Sequence, residues 1–206
     1  MRLTKTDLEL VDMTTVPVEA LEILKSHFNK PLYQYFGYSS EELDYVPKDG
    51  ICIEFGPKMI SGNLLRDKVN AINRELKQKG INCIAFASEY FIVLSEGNDC
   101  IAIIPSNDDM DIIRAAGTEG FNHGIDNELI ISKLTVWKKV LKCDYRIIYA
   151  DMQQVDAEFL LKPKNLKKLA YRIKFFSPDV VDRLDDGIDE LVRIMDSENL
   201  FTLFWD

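Results

Sequence analysis

The chain predicts an α+β protein: mainly antiparallel sheets with packed helices, closed by an α-β-β-α-α-β unit that ends in a buried strand. Three observations lead there. Short runs of β-type residues alternate with helical apolar stripes. Tight polar turns join neighbouring strands. The last stretch, residues 175–206, reads as two short helices running into an apolar strand.

Residues 1–50 read as an N-terminal helical and aromatic extension. Val18, Leu21, Ile23, Leu24 and Phe28 suggest one amphipathic helix after Pro17, while the aromatic run at residues 32–38 has no clear period and is assigned to packing over a core. Residues 51–110 form a β-α-β-β-β lobe. Its strands are read at 51–55, 81–87, 90–94 and 100–104, with turns at Ser88-Glu89 and at residues 96–99. A Gly56-Pro57 break precedes the long helix at residues 63–79, where Leu65, Val69, Ile72 and Leu76 mark the buried stripe and Gly80 the stop.

Residues 111–206 form the C-terminal domain, packed with the preceding lobe as one unit. A short helix at 109–116 leads into Gly117-Thr118-Glu119-Gly120-Phe121-Asn122-His123-Gly124. Three glycines in eight residues mark a loop with unusual backbone conformations. It follows a helix and lacks both phosphate-loop patterns, so nucleotide binding is not expected there. Asp126 caps the next helix, with Ile130, Leu134, Trp137 and Leu141 inward and Lys133, Lys138, Lys139 and Lys142 wet. Strands follow at 145–150 and 154–161 about a tight turn at Asp151-Met152; in the second, Val155, Ala157, Phe159 and Leu161 alternate with polar residues. After Pro163, Asn165 caps a helix with Leu166, Leu169, Ile173 and Phe176 inward.

Ser177-Pro178 signals a helix start, the hydroxyl accepting an orphan N–H, with Asp179 and Asp182 placed at the positive end of the helix dipole. Asp185-Asp186-Gly187 ends that helix and caps another, carrying Ile188, Leu191, Val192 and Met195. Leu200, Phe201, Leu203, Phe204 and Trp205 then form a nearly continuous apolar run, which places the last strand in the interior of its sheet.

At 206 residues, 47% hydrophobic and 29% charged, the chain can bury a core without metal or disulfide staples. A net charge of -9 argues against nucleic acid as a partner. The charge is uneven: six basic and no acidic residues lie in 162–174, whereas 175–206 holds nine carboxylates against two arginines, a net of -7. Such runs are expected to be solvated helix faces that attract each other. Cys52, Cys83, Cys100 and Cys143 are widely spaced within apolar runs and read as buried reduced thiols. With no signal segment and no apolar run long enough to span a bilayer, the reading is cytoplasmic, with no membrane contact.

The motifs Phe176-Ser177-Pro178-Asp179-Val180-Val181-Asp182, Thr118-Glu119-Gly120-Phe121-Asn122-His123, Trp137 and the terminal Phe204-Trp205-Asp206 resemble those of a bacterial family, domain of unknown function 4253. The resemblance runs from about Ile112 to the end. This chain departs from the family at Ser177, where the family has cysteine, at Arg183 to Asp186, and at Phe204, where it has tryptophan. A thiol mechanism at position 177 is therefore closed to this protein. The family carries no activity to transfer.

Two functional readings follow. The favoured one is a non-enzymatic, cytosolic protein-binding module, immunity- or inhibitor-like, that turns an acidic C-terminal face to a basic protein. The alternative is a small enzyme with a carboxylate-centred, Mg²⁺-dependent site. In either case the candidate binding cluster is Thr118, Asn122, His123, Asp179, Asp182, Trp205 and Asp206, and no cofactor or His/Cys metal site is expected.

Overall fold

A computed structural model describes residues 3–56, 62–90 and 98–206 of the chain. It divides into two compact units, residues 1–117 and 118–206.

In the first unit the helices are α1 (Lys5–Met13), α2 (Val18–His27), α3 (Gly62–Gln78) and α4 (Asp111–Ala116). The strands β1 (Tyr33–Ser39), β2 (Asp44–Gly56), β3 (Ile84–Tyr90) and β4 (Asn98–Ile104) lie in the order β1-β2-β4-β3, each antiparallel to its neighbour. The helix read after Pro17 is α2. A second helix, α1, precedes it and went unread. Its signal is a capping box: Thr4 accepts the Asp7 N–H, and the Asp7 carboxylate accepts the Thr4 N–H at 2.7 Å. Asp7 also meets Lys25 of α2 at 3.0 Å in a nearly dry ion pair.

The aromatic run without a period is the strand β1, whose Tyr35 is fully buried and packs edge-on to Phe86. In α3 the expected stripe Leu65, Val69, Ile72 and Leu76 is buried. Asn73, one position on from Ile72, clasps the N–H and C=O of Ala85, fastening α3 to β3. The turn expected at Ser88-Glu89 is corrected: both residues continue β3, opposite Cys100 and Asp99. The Ser88 hydroxyl is satisfied by Tyr35 at 2.9 Å, so a polar pair can sit mid-strand. Asn98 and Asp99 are likewise strand residues. Pro57, the body of the strand read at 90–94 and the turn residues 96 and 97 lie outside the described residues.

In the second unit the helices are α5 (Asn127–Leu141), α6 (Leu166–Phe176), α7 (Asp179–Asp182) and α8 (Gly187–Ser197). The strands β5 (Asp144–Ala150), β6 (Gln154–Leu161) and β7 (Leu200–Phe204) form an antiparallel run in that order. The α-β-β-α-α-β reading therefore holds in outline, and the two short helices read in residues 175–206 are α7 and α8. Both expected caps form: Asp126 accepts the Leu129 N–H and Asn165 the Lys168 N–H. The core lies where α5 and α6 meet one sheet face, with Trp137, Phe176 and Trp205 stacked edge to face and Tyr145, Phe159 and Phe201 beside them.

Two expectations for the C-terminus are corrected. Among the described residues β7 pairs only with β6 and is an edge strand, not an interior one. Its apolar residues are accounted for by burial of Phe201, Leu203 and Trp205 on the helix side rather than by a second neighbouring strand. Ser177 does not cap a helix start. It closes the end of α6, and α7 begins from Pro178 with no side-chain cap.

Among the described residues no helix is long and apolar enough to cross a membrane. All four cysteines are free and buried.

Candidate functional site

The Gly-rich loop leaves α4 through Gly117, whose φ of 70° and closeness to the Tyr38 carbonyl leave no room for a side chain. Thr118, fully buried, donates its hydroxyl to the Asp151 carbonyl at 2.6 Å, and Glu119 N–H bonds Met152 O. Both tie the loop to the β5–β6 turn. A bridge between Gly120 and Ile125 then closes a small ring around a 3₁₀ turn at Phe121–His123. Gly120 is where Trp205 packs: a Cβ there would lie 2.9 Å from two atoms of the indole ring.

That ring presents Asn122 and His123 to the C-terminus. Asn122 Nδ2 donates to the Asp206 backbone carbonyl at 2.8 Å. His123 Nε2 lies 3.2 Å from Asp179 Oδ2, and the same oxygen accepts the Asp206 N–H at 2.9 Å. The Asp206 N–H, first, and then His123 hold the Asp179 carboxyl below its usual range. Arg183 bonds the Asp206 carboxylate at 2.9 Å and lies 3.7 Å over the Phe204 ring. Trp205, buried beneath, donates its indole N–H to Phe176 O, while its backbone N–H bonds Gln153 O.

Of the seven candidate residues, five converge: Asn122, His123, Asp179, Trp205 and Asp206. Thr118 stands at the root of the loop and serves the β5–β6 turn instead. Asp182 is exposed one turn further on, and the bonds of the cluster do not include its side chain. Two participants lie outside those seven. Arg183 stands in the stretch that departs from the family turn and binds Asp206, and Ser177 binds β7: its hydroxyl donates to Phe204 O and accepts from Phe204 N–H, both at 2.7 Å.

Chemically, the cluster holds a histidine against a carboxylate, and among the described residues no nucleophile is bonded to either. The nearby hydroxyl, Ser177, is committed to Phe204. The two carboxylates do not share a focus, since Asp206 turns to Arg183 and Asp179 to His123. Among the described residues no group of three His, Cys, Asp or Glu side chains is placed to hold a metal ion. Beside Arg183 and Phe204 lies a cavity of about 240 Å³ walled by Val180, Leu184, Leu191 and Ile194. It falls below the usual 300 Å³ lower bound of ligand pockets. Its polar edge, Gln154 and Thr202, is already spent on the Asp156 carboxylate.

Asp156 is a further feature outside the candidate cluster. It accepts from Thr202 at 2.7 Å and Gln154 at 3.0 Å, and burial pushes its carboxyl up to about 6. Asp151, also raised by burial, holds the β5–β6 turn by accepting the N–H groups of Gln153 and Gln154 and the Tyr149 hydroxyl. Alternation along β6 marks this face as wet and gives no sign that Asp156 is half-buried there.

The fold and this cluster together define an α+β domain whose last residues are tied down by its own loop and helix start. The family model for a domain of unknown function, DUF4253, matches residues 100–206, more than half of the chain, and the protein belongs to that family. No curated protein and no solved structure matches the chain.

Proposed function

We propose that the protein is a non-enzymatic protein-binding module and that the cluster around Asp179 is a structural latch. The observation that carries this is saturation. Asp179 is taken by His123 and the Asp206 N–H, Asn122 by the Asp206 carbonyl, and Arg183 by the Asp206 carboxylate. Groups spent on one another stabilise the Trp205-Asp206 segment and leave little directed capacity for a substrate.

The acidic α7–α8 face is the surface proposed to meet a basic protein. Its charge is partly met within the chain, because Lys167 pairs with Asp189, Lys162 with Asp196 and Arg193 with Asp186. Exposed Asp182 and Asp185 carry the remainder outward.

The rival reading, a small carboxylate-centred enzyme, draws on the partly exposed His123–Asp179 pair, a base with its orienting acid. One experiment separates the two. Melting temperatures are measured for wild type and Asp179→Asn with divalent ions, nucleotides and metabolites. A latch gives a lower melting temperature in the variant and no ligand-dependent rise in either protein. A ligand that stabilises wild type but not Asp179→Asn overturns the binding-module reading.

A further inference from the structure

The bonds from β7 to β6 run through odd-numbered residues. Trp205 N–H bonds Gln153 O at one end and Phe159 N–H bonds Asn199 O at the other, with no break in register between them. Antiparallel alternation then turns the N–H and C=O of Thr202 and Phe204 away from β6, toward the free edge. Ser177 meets both groups of Phe204. Among the described residues no partner meets those of Thr202, whose side chain alone is bonded, to Asp156.

That position opens on the cavity of about 240 Å³. Its lining takes Phe201 from one face of β7 and Thr202 and Phe204 from the other, so the space lies along the edge of the strand rather than over one face. Leu184, in the turn after α7, and Leu191 and Ile194 of α8 give it an aliphatic wall. It is too small for a whole drug-sized ligand and suits one large side chain of a longer one. The rim is acidic. Arg183 is paired with Asp206, while Asp182 and Asp185, exposed on either side of Arg183 and Leu184 in the chain, have no ion-pair partner among the described residues.

We infer that the β7 edge at Thr202 binds an extended basic segment of a partner protein, which adds as a short strand and sets one large aliphatic side chain into the cavity. This rests on the binding-module reading and gives the partner its chemistry. An extended peptide residue offers one acceptor and one donor at the spacing of the Thr202 N–H and C=O. The aliphatic wall selects the side chain, and Asp182 and Asp185 select lysine or arginine on the flanks. Because Ser177 closes the ladder at Phe204, the added strand is short. A helix is a poor occupant, since its backbone groups are already bonded within it. Nucleic acid is disfavoured by the net charge of -9.

The test uses the full chain and a labelled nonapeptide with leucine at its centre, valines and threonines beside it and two lysines at each end, followed by fluorescence anisotropy. Saturable binding that weakens with salt is expected, together with slowed exchange of the Thr202 amide in a threonine-labelled protein. Replacing the central leucine by alanine should weaken binding at least tenfold, as should Ile194→Trp, which fills the cavity. Asp182→Lys combined with Asp185→Lys should weaken it severalfold at unchanged melting temperature, because both side chains are exposed. Two N-methylated peptides test the edge itself: methyl groups on one alternate set of amides should abolish binding, and on the other set leave it. This comparison uses wild-type protein and stands even if Ile194→Trp fails to fold. Absence of binding, equal binding of a peptide with glutamates in place of the lysines, or the same outcome for both methylated sets overturns the inference. So does a dimer in sedimentation that Ile194→Trp dissolves, which would make a second copy the occupant. The melting assay on Asp179→Asn decides the binding-module reading and the peptide titration decides this one, so the two failures are distinguishable.

Discussion

Ser177 and Phe204 exchange two hydrogen bonds through a single hydroxyl, which donates to the Phe204 carbonyl and accepts the Phe204 N–H, both at 2.7 Å. In the β6–β7 ladder, Trp205 N–H bonds Gln153 O and Phe159 N–H bonds Asn199 O, so by antiparallel alternation the backbone groups of Phe204 point away from β6. Ser177 therefore supplies what a further strand would have supplied at that end of the edge.

Ser177→Ala should leave both Phe204 groups without their partner. The expected cost is about 1–3 kcal/mol, read as a lower urea midpoint at unchanged slope. Ser177→Cys, the residue of the resembled family, should recover part of it through weak S–H bonding. An alanine variant as stable as wild type would show that the pair contributes nothing net.

Asp179→Asn tests the latch by its pH dependence. The folded carboxyl titrates below its unfolded value of 3.8, held there chiefly by the Asp206 N–H. Its stabilisation is thus present above pH 4 and lost as pH falls through the folded value. The variant should be less stable than wild type at pH 7, by about 1 kcal/mol, with the gap closing below pH 4. A gap independent of pH would mean that shape rather than charge is what asparagine disturbs.

Asp156 should behave in the opposite sense. Its carboxyl is raised to about 6 by burial, so the protonated form suits the fold and its contribution is full below 3.8 and lost as pH rises through about 6. Asp156→Asn, which keeps the shape and carries no charge, should stabilise the protein at pH 7 by about 1–2 kcal/mol and make no difference near pH 4. Chemical denaturation at the two pH values checks this. A loss of stability at pH 7 would show that Thr202 and Gln154 compensate the charge fully.

The thiols should be inert in the native protein. Burial raises Cys52 and Cys143 and pushes Cys83 up to about 11, so little thiolate exists near neutrality. Labelling with a thiol reagent should be slow until denaturant is added, then reach four per chain. Fast reaction of one native cysteine would contradict its burial.

What the sequence determined by itself was local. The inward stripe of α5, the caps at Asp126 and Asn165, the bounds of β6 and the stop at Gly80 each depend on residues within a turn or two, where side-chain spacing and one hydrogen bond decide the outcome. The capping box at Thr4 and Asp7 is equally local, but the apolar stripe behind it is weak, so the pattern alone does not mark α1 as a helix. Residues 32–38 hid a strand because aromatic residues on both faces blur the period of two.

Tertiary structure alone decided what β7 pairs with and which partners its polar neighbours take. The apolar content of residues 200–205 states that the strand is covered but not whether by a helix or by another strand, since either removes the same area from water. A hydroxyl after a helix and before a proline serves equally well as a cap or as a tie to a backbone 27 residues away, and the choice falls to whichever unpaired group folding brings within reach. The cluster of Asn122, His123, Asp179 and Asp206 follows the same rule. Its members were recognisable as residues with bonds to make, and only the folded chain showed that they make them with each other.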